Sequence, residues 1–480
     1  MQATALRILE RKKMLFVVLA LSAFTHLVNA AGFPDIFYDE GIYMRRAMHL
    51  AETGNPQENP TFYDHPYFGQ IFLAGALSII GYPDSLAPGA DAQSVSALYA
   101  APRIIMGLLA VADTFLVYKI TEARYGRKVA FVASLLFAVM PATWLLRRIL
   151  LDGILLPLLL SSILLAIYSQ KAQGNRKMAL VALSGAALGL AMFTKLPAFM
   201  FIPLVAYLCY SPKDKKMLML LLAPAILIPM AWPAYSMSAG QFQYWQDTVL
   251  WQAGRQSGGF ANILLSLIFV DPVLLVTGLA GTALAAILRN KFLLLWIVPF
   301  IVFLAGTGYV QYFYWIPILP AFCIATAVLF EKALVKPRAY AAALVTITAF
   351  GLGCTLAVVT INMTSAQYEA AALLASRVSG DTTFVASPTY SWMLTYVYGN
   401  QNGFTDYRDL IYSDIRTDNM LLAADSHFMS NKDSEERLSG AYEATHPVAT
   451  FENPRENPGV YPFTSLILNG EGSRVEIRSD

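Results

Sequence analysis

The stretch MLFVVLALSAFTHLVNAAGFPDIFYDEGIYMRRAMHLAETGNP, residues 14–56, decides the fold. Its first part, 14–31, is apolar and follows Arg7, Arg11, Lys12 and Lys13. A helix needs roughly 17–25 apolar residues to cross a bilayer, so this run reads as a crossing held by its basic flank. A signal peptide also has a basic start, an apolar centre and small residues at its end. Ten further apolar runs follow, however, at about 101–121, 129–146, 151–170, 178–194, 196–212, 217–235, 272–288, 292–307, 314–331 and 339–360. A retained first helix is the simpler reading.

Composition agrees. Of 480 residues 56% are hydrophobic and 14% charged, where soluble proteins carry about 25% charged residues. That excludes an ordinary soluble enzyme. Residues 361–480 hold 8 Lys and Arg against 16 Asp and Glu, and no long basic stretch suits nucleic acid. Cys209, Cys323 and Cys354 all fall in apolar runs, without CxxC spacing, so neither a disulfide framework nor a thiolate metal site is expected.

Loop charge orients the chain. With the N-terminus inside, 19 Lys and Arg fall in cytoplasmic segments and seven in outer ones, as short loops should arrange them. The expected architecture is an α-helical polytopic membrane protein of about 11 transmembrane helices, with a small extracytoplasmic C-terminal α/β domain. Residues 1–360 form the membrane domain, including a first outer loop at 32–100, and 361–480 the C-terminal domain. Within that loop 68–81 is apolar but too short to span, which suits an interfacial or re-entrant helix. A second outer loop, 236–271, is rich in Gln, Trp and Gly. In the tail, 366–378 reads as an amphipathic helix, 382–387 as a strand, and 419–424 and 464–468 as further apolar runs. The plasma membrane is the expected location, with the endoplasmic reticulum membrane as the other.

Charged residues gather at the outer boundary. Asp39 and Glu40 stand just past the first crossing; adjacent carboxylates there can act as general base and cation ligand, or cap a helix that Gly54 ends. Asp64 and His65 precede Pro66, as a functional carboxylate and imidazole or as a turn. Arg147, Arg148 and Asp152 fall between two crossings, as snorkelling arginines with a cap or as a site. Lys195 lies in a tight turn before Pro197, and ionisable residues at this depth are functional candidates because burying them in lipid costs several kcal/mol. Asp113 stands inside the second crossing, and a structural contact between helices is the larger part of its reading.

The order of these motifs resembles a known family. DEGIYMRRAMHLAETGNP (39–56), YDHP (63–66), APR (101–103), LLRRILLDG (145–153), GLAMFTKLP (189–197) and YFYWIPILPA (312–321) are similar to the GT-C glycosyltransferases. The nearest in pattern are the dolichyl-phosphate-mannose protein mannosyltransferases and the lipid A aminoarabinose transferases. The resemblance covers about 14–335 and implies transfer of a single sugar from a polyprenyl-phosphate donor, at the extracytoplasmic face, to a protein, lipid or glycan acceptor. It makes Asp39 the catalytic base, with Glu40 and Asp152 as catalytic partners, and places Arg147, Lys195 and His65 on the donor phosphate. It also implies a divalent metal ion as a candidate cofactor, with Asp64, Glu40 and His65 as ligands. Tyr67 stands where the family's second proline is usual, and the WWDxG motif of oligosaccharyltransferases is absent, which argues against whole-glycan transfer. The competing class is a transporter or flippase of a lipid-linked or small polar substrate. That class predicts polar residues at midplane on broken helices and internal repeats, whereas the charges here lie at one boundary.

Overall fold

The computed structural model describes residues 2–58, 63–210, 215–256, 259–378, 382–404, 406, 419–426, 429, 436–453 and 474–480. The first apolar run is α1 (Gln2–Leu27), and the loop after it carries α2 (Tyr38–Thr53) and α3 (Phe68–Ile79). Asp91 then caps α4 (Ala92–Tyr125) by accepting the N–H groups of Gln93 and Ser94, as acidic residues do at helix starts. The chain continues through α5 (Arg127–Val139), a 3₁₀ segment (Pro141–Arg147), α6 (Leu151–Ser169), α7 (Gly174–Thr194), α8 (Ile202–Cys209), α9 (Lys216–Leu227) and α10 (Ala231–Ser238). The stretch expected as the second outer loop contains α11 (Phe242–Gly254) and α12 (Gly259–Val270). After it come α13 (Pro272–Ile287), α14 (Lys291–Gly306), α15 (Leu319–Ala333) and α16 (Pro337–Val359).

All eleven expected crossings contain helix, and the fold is that of a polytopic membrane protein. Among the described residues six helical segments are long and apolar enough to span, or seven when α5 and Pro141–Arg147, bent by 65°, count as one. Four other expected crossings correspond to apolar helices of 10–17 residues: Lys13–Leu27, Leu196–Cys209, Pro272–Ile287 and Lys291–Gly306. The expected interfacial segment is the 12-residue α3.

Burial follows hydropathy. Leu156, Leu159, Leu160 and Ile163 of α6 are fully buried, as is Phe322 on α15, because a helix apolar all round must be enclosed by others. Phe16, Leu227, Ile287 and Val302 stand exposed on outer helices, where lipid is the solvent. Small residues let helices touch: a Cβ on Gly185 would lie 2.1 Å from the Leu221 carbonyl oxygen, and one on Gly281 2.4 Å from that of Ala325. Such contacts are how helices pack where no water drives them together.

The break at Pro141 positions the site. Asp271 accepts the Ala142 N–H at 3.1 Å and the Leu274 N–H at 2.9 Å, tying the turned segment to the start of α13. The segment then presents Trp144, Arg147 and Arg148 to the stretch between α1 and α2.

Beyond α16 lie α17 (Ser365–Arg377), β1 (Thr383–Val385), α18 (Pro388–Tyr396), β2 (Gly403–Phe404), β3 (Met420–Asp425), α19 (Glu436–Glu443), β4 (His446–Glu452) and β5 (Arg474–Ser479). The strands form one mixed sheet, β2-β1-β3-β5-β4. Parallel pairs join β1 to β2 and β3, while β5 is antiparallel to both β3 and β4. The expected helix at 366–378 and strand at 382–387 correspond to α17 and β1, and the apolar run 419–424 falls on β3; the apolar run 464–468 lies outside the described residues.

Candidate active site

The N-terminus of α2 is held by buried arginines. Arg103 of α4 donates to both oxygens of Glu40, at 3.0 and 2.7 Å, and to the carbonyls of Pro34 at 2.7 Å and Asp35 at 3.0 Å. Arg148 pairs with the Asp35 carboxylate and lies 3.5 Å from Glu40. Glu40 also accepts the N–H groups of Ile149 at 3.0 Å and Phe37 at 2.9 Å. Burial alone would raise the Glu40 pKa. Arg103, then Arg148 and the Ile149 N–H, outweigh it and hold the carboxyl below its ordinary range. The capping role open to either carboxylate thus falls to Glu40, whose side chain reaches back to the Phe37 N–H three residues earlier.

Asp39 is left free by this arrangement. Among the described residues it has no hydrogen-bond or ion-pair partner, yet it is largely buried in a field of charges. Burial raises its pKa, Lys195 opposes, Asp64 and Asp152 add to the rise, and Arg255 opposes; the result is about 6. Lys195, just past α7, donates to Asp152 in the first turn of α6 at 2.7 Å, with its ammonium 4.1 Å from the Tyr314 ring centre. Arg46 pairs with Asp64 at 2.7 Å and lowers that carboxyl's pKa against the effect of burial. His65, beside Tyr43, is pushed down to about 4, first by burial and despite Asp64, so its imidazole is neutral at pH 7. Arg255, at the end of α11, lies 3.6 Å from the Tyr309 ring centre and acts on both Asp39 and His65.

Asp39, Asp64, His65, Asp152 and Lys195 thus share one electrostatic environment. Two expected residues have other work. Arg147, expected on the donor phosphate, donates to the carbonyls of Thr25, Val28, Asn29 and Phe33 at 2.6–3.2 Å. Its guanidinium caps the C-terminal end of α1, where carbonyls lack helical partners. Glu40, expected as a catalytic or metal group, is occupied by Arg103, Arg148 and two backbone N–H groups. With Glu40 held by Arg103 and Asp64 paired to Arg46, the metal set Asp64, Glu40 and His65 is not assembled. Among the described residues no three His, Cys, Asp or Glu side chains gather to hold an ion. Asp113 is fully buried in α4 with neither carboxyl oxygen hydrogen-bonded and is not among the charges acting on Asp39. Asp35, Arg103 and Arg255 carry no site reading in the sequence, and spacing signals none of the long-range pairings of Arg103 and Arg148 with Glu40 and Asp35.

Loops over a polytopic helical membrane body thus bring the Asp39 carboxylate into the field of the Lys195–Asp152 pair. Residues 33–239, which include Asp39, Asp64, His65, Asp152 and Lys195, match the family of dolichyl-phosphate-mannose-protein mannosyltransferases. The whole chain is similar in structure to apo ArnT from Cupriavidus metallidurans, with a TM-score of 0.59 at 12% identity over 100% of this chain and 98% of that one. Against the same protein bound to undecaprenyl phosphate the TM-score is 0.58 at 13% identity, over 98% and 97%. The apo Archaeoglobus fulgidus oligosaccharyltransferase gives 0.55 at 14% identity, over 91% of this chain and 73% of that one. At these identities the likeness is one of fold. No curated protein sequence matches the chain.

Proposed function

We propose that the protein is a membrane glycosyltransferase that moves one sugar from a polyprenyl-phosphate donor to an acceptor hydroxyl or amine at the extracytoplasmic face. The observation that carries this reading is the unpaired Asp39 carboxylate, buried beside the Lys195–Asp152 pair with a pKa of about 6. A general base works best with a pKa near the operating pH and with no partner competing for the proton. Asp39 takes the acceptor proton while the acceptor atom bonds to the anomeric carbon. The bond from that carbon to the phosphate oxygen breaks, its electron pair leaves with the polyprenyl phosphate, and direct displacement inverts the anomeric centre. Lys195 and Arg255 face the charge that develops on the phosphate, Arg255 taking the place first expected for Arg147. Asp152 holds Lys195 in position. Neutral His65 supplies a hydrogen bond at the same face.

The matched family and the fold of proteins solved with undecaprenyl phosphate, or with dolichol-phosphate and an inhibitory peptide, support this donor class. The test is reconstitution of the full chain in vesicles with a panel of labelled polyprenyl-phosphate sugars and membrane extract. The reading expects label on an extractable acceptor, with polyprenyl phosphate released in equal amount. Movement of intact donor between leaflets, without cleavage for any sugar, contradicts it and supports a transporter.

A further inference from the structure

The helix that carries Asp39 is supported on a second side by the C-terminal α/β region. At Gly41, two residues beyond Asp39, α2 meets α18 backbone to backbone. A Cβ on Gly41 would lie 2.3 Å from both the carbonyl carbon of Pro388 and the amide nitrogen of Thr389, far inside the 3.5–4.0 Å or so of a comfortable contact. Polar ties fix α18 at this point. Tyr99 of α4 donates its hydroxyl to the Thr389 carbonyl at 2.7 Å and accepts the Trp392 indole N–H at 3.2 Å. Tyr390 donates to Asp425 of β3 at 2.6 Å, which locks α18 to the sheet. Further contacts reach both ends of α2: Tyr38, the residue before Asp39, donates to Asp406, and the Tyr396 hydroxyl lies 3.3 Å from His49 Nδ1.

Asp39 therefore stands between two supports. Arg103 and Arg148 hold the next residue, Glu40, from the membrane helices, and α18 bears on the residue after that. We infer that the C-terminal α/β region is a positioning element of the reaction centre, with α18 setting the depth and rotation of α2 through Gly41 and Tyr99. The inference rests on the reading of Asp39 as the base. Lys195 and Arg255 follow α7 and α11, outside this contact, so a displaced α2 disturbs the proton acceptor and leaves the phosphate contacts in place. Chemistry at a positioned base is sensitive to shifts of about 1 Å, on the order of a hundredfold in rate.

The experiment compares wild type, Gly41→Ala and Tyr99→Phe as full-length reconstituted protein, with each variant's folding checked by monodispersity and unfolding midpoint. The expected result is a kcat lowered about tenfold or more in Gly41→Ala and several-fold in Tyr99→Phe, with donor KM within about threefold of wild type. A purely structural contact would lower the midpoint and leave kcat of the folded fraction unchanged, and that result overturns the inference. So does a loss carried by donor KM alone. If Gly41→Ala does not fold, the kcat and KM of Tyr99→Phe decide by the same criterion. Absence of transfer by wild type with every donor overturns the glycosyltransferase reading instead, and this inference with it.

Discussion

Asp39 is ionised at neutral pH at a cost to the fold. Its folded pKa of about 6 lies above its ordinary value of 3.8, chiefly because it is buried. By linkage, a raised carboxyl contributes stability that is complete below about pH 4 and lost as pH rises through about 6. Asp39→Asn is therefore expected to leave the unfolding midpoint at pH 7.5 equal to or above that of wild type. The catalytic limb has the opposite sense, because only the ionised carboxylate accepts a proton: kcat rises with pH through about 6 and then levels. Lys195 is the largest charge opposing the shift, with Asp64 and Asp152 on one side and Arg255 on the other. Lys195→Ala should move this limb to higher pH and lower kcat; a limb that stays in place in a pH–rate profile would contradict the assigned environment. Glu40 behaves differently. Glu40→Ala leaves Arg103 and Arg148 buried with one partner fewer, and breaking a buried ion pair costs about 3–5 kcal/mol, so a clear fall in the midpoint by thermal unfolding in detergent is expected.

Helices were legible where apolar runs meet strong punctuation. The run expected from 272 begins where α13 does, after the Asp271 cap, whereas the run expected to end at 121 stays helical to Tyr125 before Gly126. The start of α4 was not legible: residues 92–100 are helical under the Asp91 cap, before the apolar run begins. The run at 217–235 contains two helices, α9 and α10, with a break between Leu227 and Ala231. Pairings between elements were beyond reach, since Arg103 meets Glu40 across 63 residues and Arg148 meets Asp35 across 113, and spacing says nothing at that range. Arg147 shows the limit of resemblance: a matched motif position located the arginine, and only packing against the end of α1 shows that its donors are occupied. At this scale the close approach of α13 and α15 is directly testable. Gly281→Val places side-chain carbon against the Ala325 carbonyl, and overpacking of about 1–3 kcal/mol should lower the unfolding midpoint while leaving the pH limb of kcat near 6.

Across the whole molecule, composition alone was enough to place the chain in a membrane, because 14% charged residues cannot cover a soluble surface of this size. The role inferred for the C-terminal region was not readable, since its sequence holds no glycine-rich phosphate loop or His/Cys cluster and the meeting of α18 with α2 is a matter of packing. Orientation remains the reading of loop charge, and it puts the Asp39 face and the acidic tail on the outer side. The central claim is that Asp39 takes the acceptor proton. The direct measurement compares wild type with Asp39→Asn in one preparation, following donor binding and sugar transfer from the labelled polyprenyl-phosphate sugar that wild type uses. Donor binding within about threefold of wild type, with transfer reduced on the order of 10²–10⁴-fold, is the predicted result. Transfer by Asp39→Asn at the wild-type rate would contradict it.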